Sequence, residues 1–286
     1  WGAAAIPAVV YNEAYAFLVG LPDPADGWFT VPHRTHEGGP WERVAGDDFF
    51  GQPYYRQPLP AGEPTPQSYA VQVGDAWASS FMTQNWMLIS LSRQVRNDLS
   101  PLFPHWWFAR QAVGGSDGYM AGLLHEAFHA FVGSTATERL LAAESARRSR
   151  EQAYPWEDQA LRADWQVELD LLRQALTSGS DAEAAELARQ FVQQRATRRQ
   201  AVGLSPSLID YERSREWAEG LAKYAELAIW QAGHTTPAYQ PVTAMLADAD
   251  FDDVRPAIRF LRGSALELPL PTASMDVVTM LDVVEH

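Results

Sequence analysis

The stretch LLHEAFHAF, residues 123 to 131, places two histidines and a glutamate in an otherwise apolar run. His125 and His129 are four positions apart, and residues at this spacing lie one turn apart on the same face of an α-helix. Both imidazoles can therefore reach one metal ion. Glu126 lies about 100° round the helix from His125, where its carboxylate can contact a water molecule at the site without being a ligand. This spacing predicts a metal site with a general base beside it.

The composition restricts which metal such a site could bind and which partners the protein could have. The chain of 286 residues has no cysteine, so metal ligands must come from His, Asp and Glu. That donor set favours zinc over ions that prefer an all-oxygen cage. The formal charge of −14 argues against nucleic acid and anionic membranes as partners, because both attract basic surfaces. A second interpretation, in which both histidines are ordinary buried or surface residues, stays open at this point.

The elements that must position these residues change in character near residue 115. Before it, the alternation in SYAVQVGDAWASSF, residues 68 to 81, predicts a hairpin with its turn at Gly74-Asp75, and NWMLISL, residues 85 to 91, is interpreted as continuing that sheet. After it, helical patterns dominate. We therefore predict an α+β fold, predominantly helical, with a small N-terminal β-sheet lobe (residues 1–115) packed on a helical lobe (residues 116–286). No stretch is long and apolar enough for a membrane span.

Two long helices and an insert are predicted in the helical lobe. The first helix starts at Ser116 or Asp117, after a Gly-Gly break, and runs through the histidines. The second starts at Ser205-Pro206 and runs to about Gly233. Residues 134–204 between them are predicted to form an insert of three helices. This insert is interpreted either as a lid over the site or as a spacer that enlarges the core.

Two capping boxes are expected within the insert. Thr135 with Glu138, and Ser180 with Glu183, each place a hydroxyl three residues before a glutamate.

The motif His125-Glu126-Ala127-Phe128-His129 resembles the HExxH helix of zincin metallopeptidases. Metzincins, one zincin class, have a third histidine at a position that is Thr135 here, which excludes that class. Gluzincins take their third ligand from a later helix, and REWAEGLAKYAE, residues 215 to 226, resembles that helix. The resemblance implies that Glu219 completes a zinc site with the two histidines. Glu216, one turn earlier, is the competing candidate.

The region around Glu219 also has a simpler interpretation. Glu212, Glu216, Glu219 and Glu226 form a stripe along the last helix. An acidic stripe of this kind is typical of a solvated helix face. The interval between His129 and Glu219 is also longer than in compact gluzincins. Some families with an inserted helical region have a similarly long interval.

The resemblance implies a zinc-dependent metallopeptidase that hydrolyses peptide bonds, with Glu126 as general base for the attacking water. It also implies a hydrogen-bond donor for the oxyanion. Tyr211, two turns before Glu219, is the first candidate for that donor, and the others are Tyr224, His234 and Tyr239. The hairpin over residues 69–81 is expected to offer an edge strand to an extended peptide or protein substrate. The alternative function is a zincin-like protein without proteolytic activity that serves as a binding or scaffold module.

Localisation is only weakly constrained by the sequence. The chain starts at Trp1 rather than Met. A secreted or cell-envelope protein with its N-terminal segment removed and a cytoplasmic protein are both compatible with this start.

Overall fold

The N-terminal part of the chain forms one eight-stranded sheet. The computed structural model describes residues 5–59, 70–98, 106–107, 109 and 115–234. The strands are β1 (Ala8–Tyr11), β2 (Tyr15–Val19), β3 (Trp28–Phe29), β4 (His36–Glu37), β5 (Glu42–Arg43), β6 (Tyr55–Pro58), β7 (Ala70–Val73) and β8 (Ala76–Met82). Their order in the sheet is β4-β3-β7-β8-β1-β2-β6-β5. The pairs are antiparallel except β1 with β8, which is parallel.

The predicted hairpin is confirmed as β7 and β8, with Gly74 at φ +60° in the two-residue turn. Its expected place at the edge of the sheet is wrong. Strand β7 lies between β3 and β8, and β8 lies between β7 and β1. Nearly every residue of both strands is buried, on both faces of the sheet, as is typical of interior strands. Within the described sheet, the hairpin therefore offers no edge strand to an extended peptide.

The stretch NWMLISL forms a helix, so its interpretation as a further strand is wrong. Helix α1 spans Gln84–Asp98. The Thr83 hydroxyl oxygen accepts a hydrogen bond from the Trp86 amide at 3.3 Å, which caps the first turn. Ser92 and Val95, three positions apart, are both buried. A short apolar run does not by itself distinguish a strand from a buried helix.

The two long helices and the three-helix insert are confirmed. Helix α2 spans Gly115–Thr135, α3 Thr137–Arg150, α4 Gln159–Thr177, α5 Asp181–Ala201 and α6 Pro206–His234. The Ser180 hydroxyl caps α5 by accepting from the Glu183 amide at 3.2 Å. Thr135 is not a cap, because its hydroxyl donates to the carbonyl of Phe131 at 3.1 Å. Among the described residues, no helix is both long enough and apolar enough to cross a membrane.

The described chain divides into two compact units, with the residues of α6 shared between them. One unit contains the residues up to 144 together with 225–234, and the other contains residues 145–224. In the first unit, β1, β2, β7 and β8 surround a core that includes Val9, Leu18 and Val71. In the second unit, α4 packs against α5, and the core cluster includes Tyr154, Leu161, Trp165 and Tyr211.

Two glycines allow α2 to lie directly on β8. A methyl group added at Gly133 would lie 2.4 Å from the ring of Trp77, and one added at Gly122 would lie 3.1 Å from Phe81. The glycines are three helical turns apart, about 16 Å, while the two aromatic residues are about 13 Å apart on their strand. Helix α2 therefore runs antiparallel to β8. This contact fixes the helix that carries both histidines.

Substitution of Gly133 tests this packing. We expect Gly133→Ala to lower the free energy of unfolding by about 1–2 kcal/mol, because overpacking costs about 1–3 kcal/mol and the gain in helix propensity returns about 1 kcal/mol at most. Trp77 is 6% exposed, so its ring has little room to move away. The measurement is urea unfolding. Gly179→Ala is the control, since a methyl group there meets no atom within 4 Å. An unchanged midpoint for Gly133→Ala would contradict this packing.

Candidate metal centre

Three of the predicted site residues come together. One ligand atom from each of His125, His129 and Glu219 lies within 4.8 Å of the others, so the group could hold a metal ion. The two histidines are one turn apart on α2, with ring centroids 5.0 Å apart. His129 is buried, while His125 and Glu219 are partly exposed. Partial exposure leaves a route by which an ion and water could reach the group.

The geometry and chemistry of this trio fit a divalent ion. A tetrahedral zinc ion with bonds of about 2.1 Å holds its ligand atoms roughly 3.4 Å apart. The 4.8 Å limit exceeds that value by an amount that small side-chain rotations can remove. Two imidazole nitrogens and one carboxylate oxygen are a donor set typical of catalytic zinc sites with an open fourth position. These residues would hold the ion.

A further carboxylate contacts one of the histidines. The Glu226 Oε2 atom lies 3.4 Å from His125 Nδ1, and both side chains are largely buried. Metal-binding histidines commonly use their second ring nitrogen in this way, which fixes the orientation of the ring. With Nδ1 directed at Glu226, the Nε2 atom of His125 faces away from that carboxylate. Sequence reasoning treated Glu226 only as a member of the acidic stripe, although its position two turns after Glu219 placed it on the same face of α6.

The proposed general base is also buried. Glu126 follows His125 in α2 and is 8% exposed. Burial of a carboxylate is costly without compensating charge or hydrogen bonds. This position contrasts with that of exposed glutamates such as Glu138, in the neighbouring helix.

The acidic stripe of α6 is not a solvated face. Glu212, Glu216 and Glu226 are all less than 9% exposed. Each glutamate of the stripe has a cationic or imidazole partner. The pairs are Glu212 with Arg198 and Arg199, Glu216 with Arg195, Glu219 with Arg215, and Glu226 with His125. The interpretation as a solvated face is therefore wrong, because these partners are distant in sequence for three of the four glutamates.

Glu216, the competing candidate for the third ligand, pairs with an arginine outside the trio. Its Oε2 atom accepts a hydrogen bond from Arg195 at 2.9 Å, and it does not belong to the trio. Its Oε1 atom is buried without a hydrogen-bond partner among the described residues. Burial raises the pKa of Glu216 to about 7, although the Arg195 charge opposes the rise.

This raised pKa predicts a pH-dependent stability. A carboxyl that binds its proton more tightly in the folded chain stabilises the fold fully below about pH 4.5, and the stabilisation is lost as the pH rises through about 7. We expect a loss on the order of 3 kcal/mol across that range. Glu216→Gln should remove this decline and be more stable than the wild type at pH 8. Urea unfolding as a function of pH measures it.

The control for this pH series is Glu157→Gln, at a side chain that is 91% exposed. It should show the wild-type decline. If the Glu216→Gln profile matches the wild-type profile, then Glu216 is not the titrating group.

A buried ionic network joins the insert helices α4 and α5 to α6. Arg198 on α5 is fully buried and donates to Glu168 of α4 at 2.5 Å and to Glu212 of α6 at 2.6 Å. Its guanidinium also lies 3.9 Å from the ring centroid of Trp165. Although burial alone would raise the pKa of Glu212, the hydrogen bond from Arg198 holds it below its usual value. These contacts fix α4 and α5 to α6, and both the lid and the spacer interpretations of the insert stay predictions.

The structure places Tyr211 in the core of the second unit. Its ring centroid lies 5.8 Å from that of Tyr154 and 6.4 Å from that of Trp156. Tyr211 is 1% exposed, and burial raises its pKa to about 12. A hydroxyl group buried in this way has little access to a substrate. This position does not support Tyr211 as the oxyanion donor, and that role stays a prediction. Of the other candidates, Tyr224 is 43% exposed, whereas Tyr239 and the side chain of His234 lie outside the described part of the chain.

Comparison of the chain with protein-family models, with curated proteins and with solved structures found no match. The functional assignment therefore depends on the residues of the site and their geometry.

Proposed function

We propose that the protein is a zinc-dependent metallopeptidase of the gluzincin type. The observation that carries the proposal is the convergence of His125, His129 and Glu219 from two helices, although Glu219 follows His129 by 90 positions in the sequence. The HExxH spacing on α2 and the position of Glu219 on a later helix agree with the pattern that gluzincins show. The donor set, which contains no thiolate, favours zinc among the divalent ions.

Zinc would supply Lewis-acid chemistry, since it lowers the pKa of water and polarises a carbonyl. The chain's own residues would perform the proton transfers. Glu126 would accept a proton from the attacking water, and the same carboxyl would return that proton to the amine that leaves.

The negative charge at the site agrees with the binding of a dication. Glu219 and Glu226 contribute two carboxylates beside the two imidazoles, and Glu126 directly follows His125 in α2. A dication would offset part of this charge, and Arg215 offsets part of the remainder.

The experiment is a peptide-library cleavage assay on the full chain after zinc reconstitution. We expect cleavage that disappears on chelation and returns when zinc is added back. A chain that binds zinc but cleaves no member of the library would instead support the alternative, a zincin-like binding or scaffold module. A chain that binds no zinc would refute both.

A further inference from the structure

Arg215 forms an ion pair with Glu219, a residue of the trio. Its NH1 atom donates to Glu219 Oε1 at 2.7 Å, and the two side chains are 22% and 20% exposed. Hydrogen bonds between two charged groups are roughly twice as strong as neutral ones. This pair therefore holds one oxygen of the carboxylate in place.

The pair differs from ordinary ion pairs on a helix surface. Arginine stands before glutamate at i,i+4, which is the less favourable order for an isolated helix. Nearby on the same helix, Arg213 and Asp210 lie 3.8 Å apart, with side chains 52% and 65% exposed. Arg215 instead borders a small cavity that Tyr154 and Tyr211 also line.

The other glutamates in this part of the stripe do not compete for Arg215. Arg195 pairs with Glu216, and Arg198 pairs with Glu212. The insert thus supplies separate arginines to the earlier part of α6. Arg215 stays directed at Glu219.

We propose that Arg215 is a positioning residue that keeps Glu219 a one-oxygen metal ligand. The inference depends on the proposed metal centre. A carboxylate can bind a metal through one oxygen or two, and the guanidinium occupies Oε1. If Glu219 binds through its other oxygen alone, Glu219 and the two histidines would fill three positions of a tetrahedral ion and leave the fourth for water. Without Arg215, both oxygens could bind and close that position.

Metal affinity alone would not reveal this role, because the guanidinium charge also repels a dication. The absorption spectrum of the cobalt(II)-loaded chain reports coordination number directly, since visible bands weaken as the number rises from four to five. We expect Arg215→Met to weaken these bands relative to the wild type. Arg215→Lys, which keeps a donor for Glu219, should restore them. Arg213→Met is the matched control and should leave the spectrum unchanged.

Circular dichroism checks that each variant is folded, and Arg215→Ala replaces the methionine variant if that one unfolds. Wild-type bands in folded Arg215→Met or Arg215→Ala would overturn the role of Arg215 while leaving the metal centre intact. An equal change in Arg213→Met would also overturn it, because the effect would then be one of charge alone. A wild-type chain that shows no cobalt bands would refute the metal centre itself, and the role of Arg215 with it.

Discussion

The Glu126→Gln variant is expected to keep its zinc and to lose peptide cleavage, with kcat/KM lower by about 10²–10⁴-fold. Glutamine has nearly the shape of glutamate but cannot accept a proton at neutral pH, so the change removes the base and spares the three candidate ligands. The buried position of Glu126 limits replacement by bulk solvent. Measurement combines zinc content with steady-state kinetics on a peptide that the wild type cleaves.

The control for this variant is Glu138→Gln, at an exposed glutamate in the helix that follows. It should retain both zinc and activity. Cleavage by Glu126→Gln at the wild-type rate would refute the assignment of the base, without bearing on the ligands.

The Arg198→Met variant is expected to have the largest effect on stability, lowering the free energy of unfolding by about 3–5 kcal/mol. Methionine fills part of the space of arginine but removes the cation shared by Glu168 and Glu212, leaving Glu168 with Arg195 and Glu212 with Arg199. The loss of that central, fully buried cation from two buried carboxylates costs more than apolar packing returns. Thermal and urea unfolding at pH 7 measure the change.

Arg189→Met provides the comparison for Arg198→Met. Arg189 lies on the same helix, α5, and its side chain is 71% exposed, with Glu186 as its partner. We expect no measurable loss there, because exposed ion pairs contribute little. Similar stability of the two variants would show that the network is not required for folding.

Much of the site could be predicted because its signals are local. The four-residue spacing of the histidines fixes their common helix face, and Ser205-Pro206 marks where α6 begins. The turn at Gly74-Asp75 similarly marks a hairpin. Each of these features is decided by residues within a few positions of one another.

The features that could not be predicted from the sequence are short strands and contacts between distant segments. Strands β3, β4 and β5 have two residues each, too few for a periodic signal. The burial of Glu212 depends on Arg198, which lies on another helix. The core position of Tyr211 depends on packing against Tyr154 and Trp156. No spacing within the sequence predicts such partners.

The zinc content of the wild type and of His129→Ala tests the central claim most directly. Both chains are loaded with zinc, passed through gel filtration and analysed by mass spectrometry for metal and protein. We predict about one zinc ion per wild-type chain and almost none in His129→Ala, which should also unfold at lower temperature because metal binding contributes folding free energy. A wild-type chain that leaves the column without zinc, or a His129→Ala chain that keeps a full equivalent, would contradict the metal centre.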